Sequence, residues 1–407
     1  MPRPSPLPLL LLSLLAAPPA PGHAPACCRV EFVVQVPEGT PAVYLTGNDP
    51  ALGPWSPTGL VLEGTGTTRT ARLTRPSGQD LEYKLTLGAW DRQEVAYTGA
   101  VSWSHHLVTT RDTVVRLSVA GFQRDAKAYM ADPAGAGIRG RIVYWPDVRS
   151  GFLREQRHVE VWLPPGYDST TARYPVLYMA DGQNLFDPRL TVGGVDWGVD
   201  EAITALMATG AIPPLIVVGV WNTTDRGGEY SPWHWAPMYA RFLIEELMPR
   251  VNGEFRTLTG PANTYAMGSS MGGLISFYLV SRHPDVFGAC GCLSTHFVFS
   301  EAVVSRYAPT VVQPGASPDT VPYIVRDIQR GERVPAGTRY WFDYGTVGLD
   351  STYAPVQARV REWLLAQGLR EGKDFVMRRY PGAAHSESSW RDRLTDPLVW
   401  LYGNRER

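Results

Sequence analysis

A serine hydroxyl attacks at neutral pH only where a base takes its proton and a third group holds that base in place. The run Tyr265-Ala266-Met267-Gly268-Ser269-Ser270-Met271-Gly272-Gly273 contains the pattern G-x-S-x-G centred on Ser270. Standing alone, that pentapeptide is an ordinary Gly-rich turn. Its flanks give it more: a short strand-like stretch precedes it, and an amphipathic stretch running to His283-Pro284 reads as a helix. Strand, tight turn and helix is the arrangement that exposes a nucleophilic serine on a strained corner. It also sets Ser270 at a helix N-terminus, where free N–H groups and the helix dipole favour an oxyanion.

Three histidines follow Ser270, namely His283, His296 and His385. His283 falls at the far end of the helix that starts at the serine, too distant to bond it. His296 follows a strand but precedes any suitable acid. His385 lies in the small-residue loop Pro381-Gly382-Ala383-Ala384-His385, just after the last strand-like run, and is the expected base. The orienting acid is sought between serine and histidine, where Asp343 sits within a strand and Asp350 on the loop beyond it. A loop position reaches a neighbouring histidine more easily, so Asp350 is preferred to Asp343. An oxyanion needs two donors. One is the Met271 N–H directly after the nucleophile; for the second, the Gln183 N–H in the loop Asp181-Gly182-Gln183-Asn184 is chosen.

These parts need a scaffold that gathers strand ends. From residue 138 onward, near-continuous apolar runs such as Pro175–Met179 and Leu215–Val220 alternate with helical stretches such as Glu201–Met207 and Tyr239–Met248. Runs apolar on both faces suit buried parallel strands, and their alternation with helices gives an α/β sheet covered on both sides. Such sheets collect their chemistry at the C-terminal ends of the strands. Residues 27–122 behave differently. Val30–Val36, Ala42–Gly47, Leu81–Leu87 and Thr113–Val119 are short alternating runs with no helical period between them, which predicts an all-β sandwich. A small-residue linker, 123–137, joins the two. It opens a formal G-x-G-x-x-G over Gly135, Gly137 and Gly140, but no strand precedes the pattern and a strand rather than a helix follows, so it is read as linker and not as a nucleotide site.

Residues 138–407 resemble the family known as "Putative esterase" within the α/β-hydrolase superfamily, the group with esterase D, feruloyl esterases and enterochelin esterases. The resemblance rests on Asp181–Phe186, Gly268–Gly273, Tyr344–Asp350 and Gly382–His385, in that order. It implies an α/β-hydrolase sheet with flanking helices and a serine esterase that needs no metal or other cofactor. Hydrolysis would proceed through an acyl-enzyme on carbohydrate-linked (feruloyl or acetyl) or siderophore esters. An acyltransferase on the same scaffold, or a carbohydrate-binding protein with an inactive hydrolase domain, are the alternatives. Some relatives carry an acidic residue beside the Gly-Thr pair, where this chain has Val347-Gly348. The segment Trp221–Tyr230 looks like another recurring pattern of the family, which makes Arg226 and Glu229 substrate contacts or loop braces. Trp197, Trp233, Trp235 and Trp390 are an aromatic wall or core.

The front part resembles the starch-binding carbohydrate module family 20, an immunoglobulin-like fold, through Tyr44–Asn48, Leu52–Trp55, Glu82–Leu85 and Gly88–Trp90. That likeness implies Trp55 and Lys84 as sugar contacts, Trp90 or Tyr97 at the second aromatic position, and a carbohydrate polymer as partner. Because the catalytic parts all lie beyond residue 138, the two halves are expected to work as independent modules.

Composition narrows the classes. With 38 basic against 39 acidic residues and only 19% charged, the chain has neither the charge of a nucleic-acid binder nor that of a polybasic membrane binder. At 407 residues and 44% hydrophobic it can build two cores. Its four cysteines fall as close neighbours, Cys27 with Cys28 and Cys290 with Cys292, which is no disulfide framework; no C-x-x-C or H-E-x-x-H suggests a metal site. Arg3, the apolar run Leu7–Ala17 and Ala24-Pro25-Ala26 read as a cleaved signal peptide over residues 1–26, the run falling short of the roughly 20 residues of a membrane span. The mature chain is therefore expected to be secreted or periplasmic. Lipid attachment at Cys27 is the less favoured variant, because the usual leucine before it is missing.

Overall fold

The structure, a computed structural model, describes residues 27–96, 101–102, 104–124, 126–191, 193–301 and 320–403. The expected signal peptide and Tyr97 lie outside them. Up to residue 124, the described chain forms strands and short 3-10 turns and no α-helix. The strands are β1 (Cys27–Gln35), β2 (Tyr44–Gly47), β3 (Leu60–Val61), β4 (Thr68–Pro76), β5 (Asp80–Thr86), β6 (Glu94–Val95), β7 (His105–Val108), β8 (Thr113–Ser118) and β9 (Gly121–Phe122). They pair into sheets of order β4-β1-β8 and β3-β2-β5-β7 and a small β6-β9 ribbon. Alternate residues of the two larger sheets share one core: Val30, Phe32 and Val34 from β1 meet Leu45 from β2 and Leu81, Tyr83 and Leu85 from β5. The period of two read in the sequence is thus the inward face of each strand.

The second part is built on an eight-stranded sheet. Its strands are β10 (Arg141–Val148), β11 (Arg157–Leu163), β12 (Val176–Ala180), β13 (Ile216–Val220), β14 (Thr264–Ser269), β15 (Ala289–Leu293), β16 (Arg339–Tyr344) and β17 (Phe375–Arg379), in the order β10-β11-β13-β12-β14-β15-β16-β17. Strands β10 and β11 pair antiparallel, β11 meets β13 antiparallel, and from β13 to β17 every pairing is parallel. The parallel strands are continuous apolar runs because both faces are covered. Val176, Tyr178, Ile216 and Val218 face one core with the helices Met271–Arg282 and Ala354–Ala366, while Leu177, Met179 and Val217 face the other with Val199–Ala208 and Thr395–Tyr402. Each such side chain contributes about 1.5–3 kcal/mol when fully buried, so the sheet is a rigid base for the loops at its strand ends.

The joining segment is not a free tether. It contains the helix Ala126–Met130, whose Ala126 is buried against Leu190 and Trp221 of the second part, and its Asp132 pairs with Arg189 at 3.2 Å.

Candidate active site

Strand β14 leads straight into Ser270, which has φ 56° and ψ −121°, and the helix Met271–Arg282 begins at the next residue. A non-glycine residue at positive φ costs of order 1–3 kcal/mol and persists only where its surroundings over-determine it. Here they do. The Ser270 N–H donates to the Leu293 carbonyl at 2.9 Å, and the Ser270 carbonyl accepts from the N–H groups of Gly273, Leu274 and His296. Glycine is required at 268, because a Cβ there would lie 2.7 Å from the Gly272 backbone.

The loop after β16 carries Asp350 and the loop after β17 carries His385. Their side chains meet, with His385 Nδ1 2.6 Å from Asp350 Oδ1. Asp350 is wholly buried, and its Oδ2 accepts from Ser294 Oγ at 2.6 Å and from the Gly345 N–H at 2.7 Å. Burial works to raise its pKa, but the hydrogen bonds from His385, Ser294 and Gly345 outweigh it and hold the carboxyl below the usual carboxylate range. Trp390 fixes the imidazole from the side, edge-on with ring centroids 5.0 Å apart. Asp343 is turned elsewhere. It accepts from the Ser294 N–H, Trp341 Nε1 and Arg393, all near 2.9–3.0 Å, and so braces the strand end.

His296 is buried and bonds Tyr353 through Nδ1 at 2.6 Å; burial pushes its pKa down to about 3, so it stays neutral. His283 ends the helix that Ser270 begins.

Gln183 lies in the 3-10 turn Gly182–Asn184 that follows β12, and Met271 is the first helical residue after β14. Since β12 and β14 are paired with Met179 opposite Met267, the two turns leave adjacent strand ends. Ser270, His385 and Gln183 line one cavity of about 700 Å³ together with Arg226, Glu387 and Trp390. Arg226 is locked into Asp181 by two bonds of 2.7 Å, so its charge enters the cavity already paired. Glu387 is pushed up to about 7, first by burial, against the opposing pull of Arg226 and Lys84.

Two of the expected contacts have their charged groups held by other protein groups. Glu229 is 1% exposed and bound by Arg157 through bonds of 2.8 and 2.7 Å; it is not among the cavity's lining residues and braces the loop. Lys84 is 7% exposed and donates to Gln93 Oε1 at 2.7 Å and the Ser102 carbonyl at 2.9 Å, so its ammonium is spent inside the front part. Trp55, at φ 51°, sits with its ring 6.5 Å from that of Trp90. Of the tryptophans, Trp390 lines the cavity, Trp197 is buried behind it at 5.5 Å, Trp233 bonds Asp327, and Trp235 lies under Arg154. The cavity also takes in Pro57, Gly88, Ala89, Trp90 and Gln93 of the front part, which the expectation of two independent modules did not foresee. Sequence reading also missed Ser294, Tyr353 and Arg393, which hold Asp350, His296 and Asp343; they lie in none of the motifs.

Residues 150–401 match the family model described as "Putative esterase", more than half of the chain. Among curated proteins, the chain is similar to "Uncharacterized protein YbbA" of Bacillus subtilis, 23% identical over 174 residues that make up 40% of this chain and 65% of that protein. It is also similar to an endo-1,4-beta-xylanase/feruloyl esterase of Xylanibacter ruminicola, 28% identical over 184 residues, 44% of this chain and 24% of that protein. The chain thus spans just under two thirds of the first relative and about a quarter of the second. Among solved structures, the enterobactin esterase of Shigella flexneri aligns over 91% of this chain and 92% of its own at 14% identity, with a TM-score of 0.49.

Proposed function

The chain belongs to the "Putative esterase" family, and from that premise we propose that it is a serine carboxylic-ester hydrolase in which Ser270 is the nucleophile, His385 the base and Asp350 the residue that orients it. The observation that carries this reading is that Ser270, on its strained corner, opens into the same cavity as a histidine whose Nδ1 is already held by a buried carboxylate. With Nδ1–H donated to Asp350, the Nε2 atom is the one left to take the Ser270 proton.

In the first step Ser270 Oγ attacks the ester carbonyl while its proton passes to His385 Nε2. The oxyanion is held by the Met271 and Gln183 N–H groups. Collapse of the tetrahedral adduct breaks the bond to the alcohol, which leaves with the proton from His385. Water then attacks the acyl-enzyme by the same route in reverse, releasing the acid and free Ser270. Asp350 stays ionised throughout and stabilises the imidazolium that forms. Feruloyl or acetyl groups on carbohydrate and siderophore esters are the substrate classes this reading favours.

We read residues 27–122 as an immunoglobulin-like, carbohydrate-module-like sandwich, 123–137 as the connection and 138–407 as the hydrolase domain, exported behind a cleaved signal peptide. No helix of the described residues is long and apolar enough to cross a membrane. The reading is tested with a panel of 4-nitrophenyl, feruloyl, acetylxylan and catecholate esters in the presence of a chelator. Turnover of at least 4-nitrophenyl acetate is expected, undiminished by chelation, and its loss on chelation would count against the metal-free mechanism.

A further inference from the structure

One wall of the active-site cavity comes from the front part of the chain. The turn between β5 and β6 brings Trp90 into the cavity that holds Ser270 and His385. That turn is built to be stiff. Gln93 Nε2 donates to the Trp90 carbonyl at 2.7 Å, and Gln93 Oε1 accepts from the buried Lys84 at 2.7 Å. The half-buried indole of Trp90 leans on Trp55 with 6.5 Å between ring centroids. From the hydrolase part the cavity receives Glu387, the first residue of the helix Glu387–Arg393, two positions beyond His385. Glu387 and Lys84 are near enough for each to act on the other's charge across the junction of the two parts. The mechanism above uses neither Trp90 nor Glu387.

We propose that Trp90 and Glu387 form a composite subsite for the non-reacting part of the ester, and that this subsite takes a ring bearing hydroxyl groups. The inference rests on the ester-hydrolase reading and adds to it the residues that select the ring. An indole offers a flat apolar face suited to a sugar or aromatic ring. A carboxyl group in the same cavity bonds hydroxyls in either protonation state, as donor and acceptor when neutral and as acceptor when ionised. Burial keeps Glu387 near half-protonated at neutral pH, with Asp181 adding to that effect and Arg226 and Lys84 opposing it. Arg226 is oriented by Asp181 through Nε and Nη2, so its charge is already paired where it meets the cavity. A hydroxylated ring reaches the subsite from either side of the scissile bond: as a phenolic acyl group, or as the sugar that carries the acyl group.

The test uses the full chain and two pairs of esters, with 4-nitrophenyl acetate as reference. Methyl ferulate against methyl cinnamate places the ring in the acyl part; 6-O-acetylglucose against cyclohexylmethyl acetate places it in the alcohol part. Trp90→Ala should lower kcat/KM at least tenfold relative to the reference for the ring esters of one pair, which tells the two sources apart, and Trp90→Phe should restore part of it. Glu387→Ala should erase the preference for the hydroxylated member of that pair, and Glu387→Gln should retain much of it. Unchanged ratios in both alanine variants, or in Glu387→Ala and Trp90→Phe if Trp90→Ala does not fold, overturn the proposal. If the unaltered chain hydrolyses none of the five esters, it is the ester-hydrolase reading that fails.

Discussion

Nδ1 of His385 lies 2.6 Å from Oδ1 of Asp350, and the other oxygen of that carboxylate is held by Ser294 and by the Gly345 N–H. Two loops from neighbouring strands are thereby joined by a charge that cannot turn away. A histidine so held has one free ring nitrogen, and its direction is fixed before any substrate arrives.

The two aspartates of the β16 region separate cleanly under substitution. Asp350→Asn leaves the shape but offers the wrong hydrogen-bonding partner to Nδ1, and kcat on 4-nitrophenyl acetate should fall by roughly 10⁴. Asp343→Asn takes the charged partner from Arg393, whose side chain is 4% exposed. Breaking a buried pair from one side costs about 3–5 kcal/mol, so this variant should show a lower Tm and less than a tenfold change in kcat. The opposite ranking of the two kcat values would make Asp343 the orienting acid.

Much of this site was legible beforehand, and the reasons are local. A tight corner between strand and helix demands glycine where Cβ atoms would collide, so Gly268 and Gly272 framed Ser270 in the sequence. Asp350 was preferred to Asp343 because a loop residue reaches a neighbouring histidine more easily, and in the structure Asp343 instead meets Trp341 and Arg393. What could not be read was anything set by how separate segments dock. Lys84 is a sugar contact by the front part's likeness to a carbohydrate module, yet its ammonium is taken up by Gln93 and Ser102. Glu229 follows Arg226 by three residues, yet a buried Arg157 from β11 claims it. Trp90 sits in a front-part turn whose pattern says nothing of the cavity it helps to close.

Gly268→Ala should disable the corner itself. Its Cβ would meet the Gly272 carbonyl carbon at 2.7 Å, and the atoms it meets are all backbone, with nothing flexible to yield. We expect a fall in Tm together with loss of labelling by a fluorophosphonate. A variant that kept the labelling rate of the unaltered chain would mean that the corner tolerates the contact.

Tyr353→Phe removes the hydroxyl that bonds His296. His296 would be left buried with an unmet ring nitrogen, at a cost of about 1–3 kcal/mol. A lower urea midpoint should accompany a modest drop in kcat.

His296 also makes stability depend on pH in a definite sense. Its pKa is pushed down to about 3 in the folded chain, against about 6.5 for a free histidine. Between those values the unfolded chain binds a proton that the folded one does not, so stability is lost as pH falls through that window. One proton contributes up to about 1.4 kcal/mol per pH unit. Asp350, held low, adds to the loss only at more acid pH. Urea midpoints at pH 7.5 and 4.5 should therefore drop further in the unaltered chain than in His296→Asn; equal drops would show that His296 is free to protonate while folded.

The central claim is that Ser270 forms the acyl-enzyme. Treating the full chain with 4-nitrophenyl diethyl phosphate and mapping the modified peptide measures this directly. The account predicts one diethylphosphoryl group per chain, on Ser270, with ester turnover lost in step with labelling, and neither labelling nor turnover in Ser270→Ala. Label on another residue, or ester hydrolysis that survives Ser270→Ala at the original rate, would contradict it.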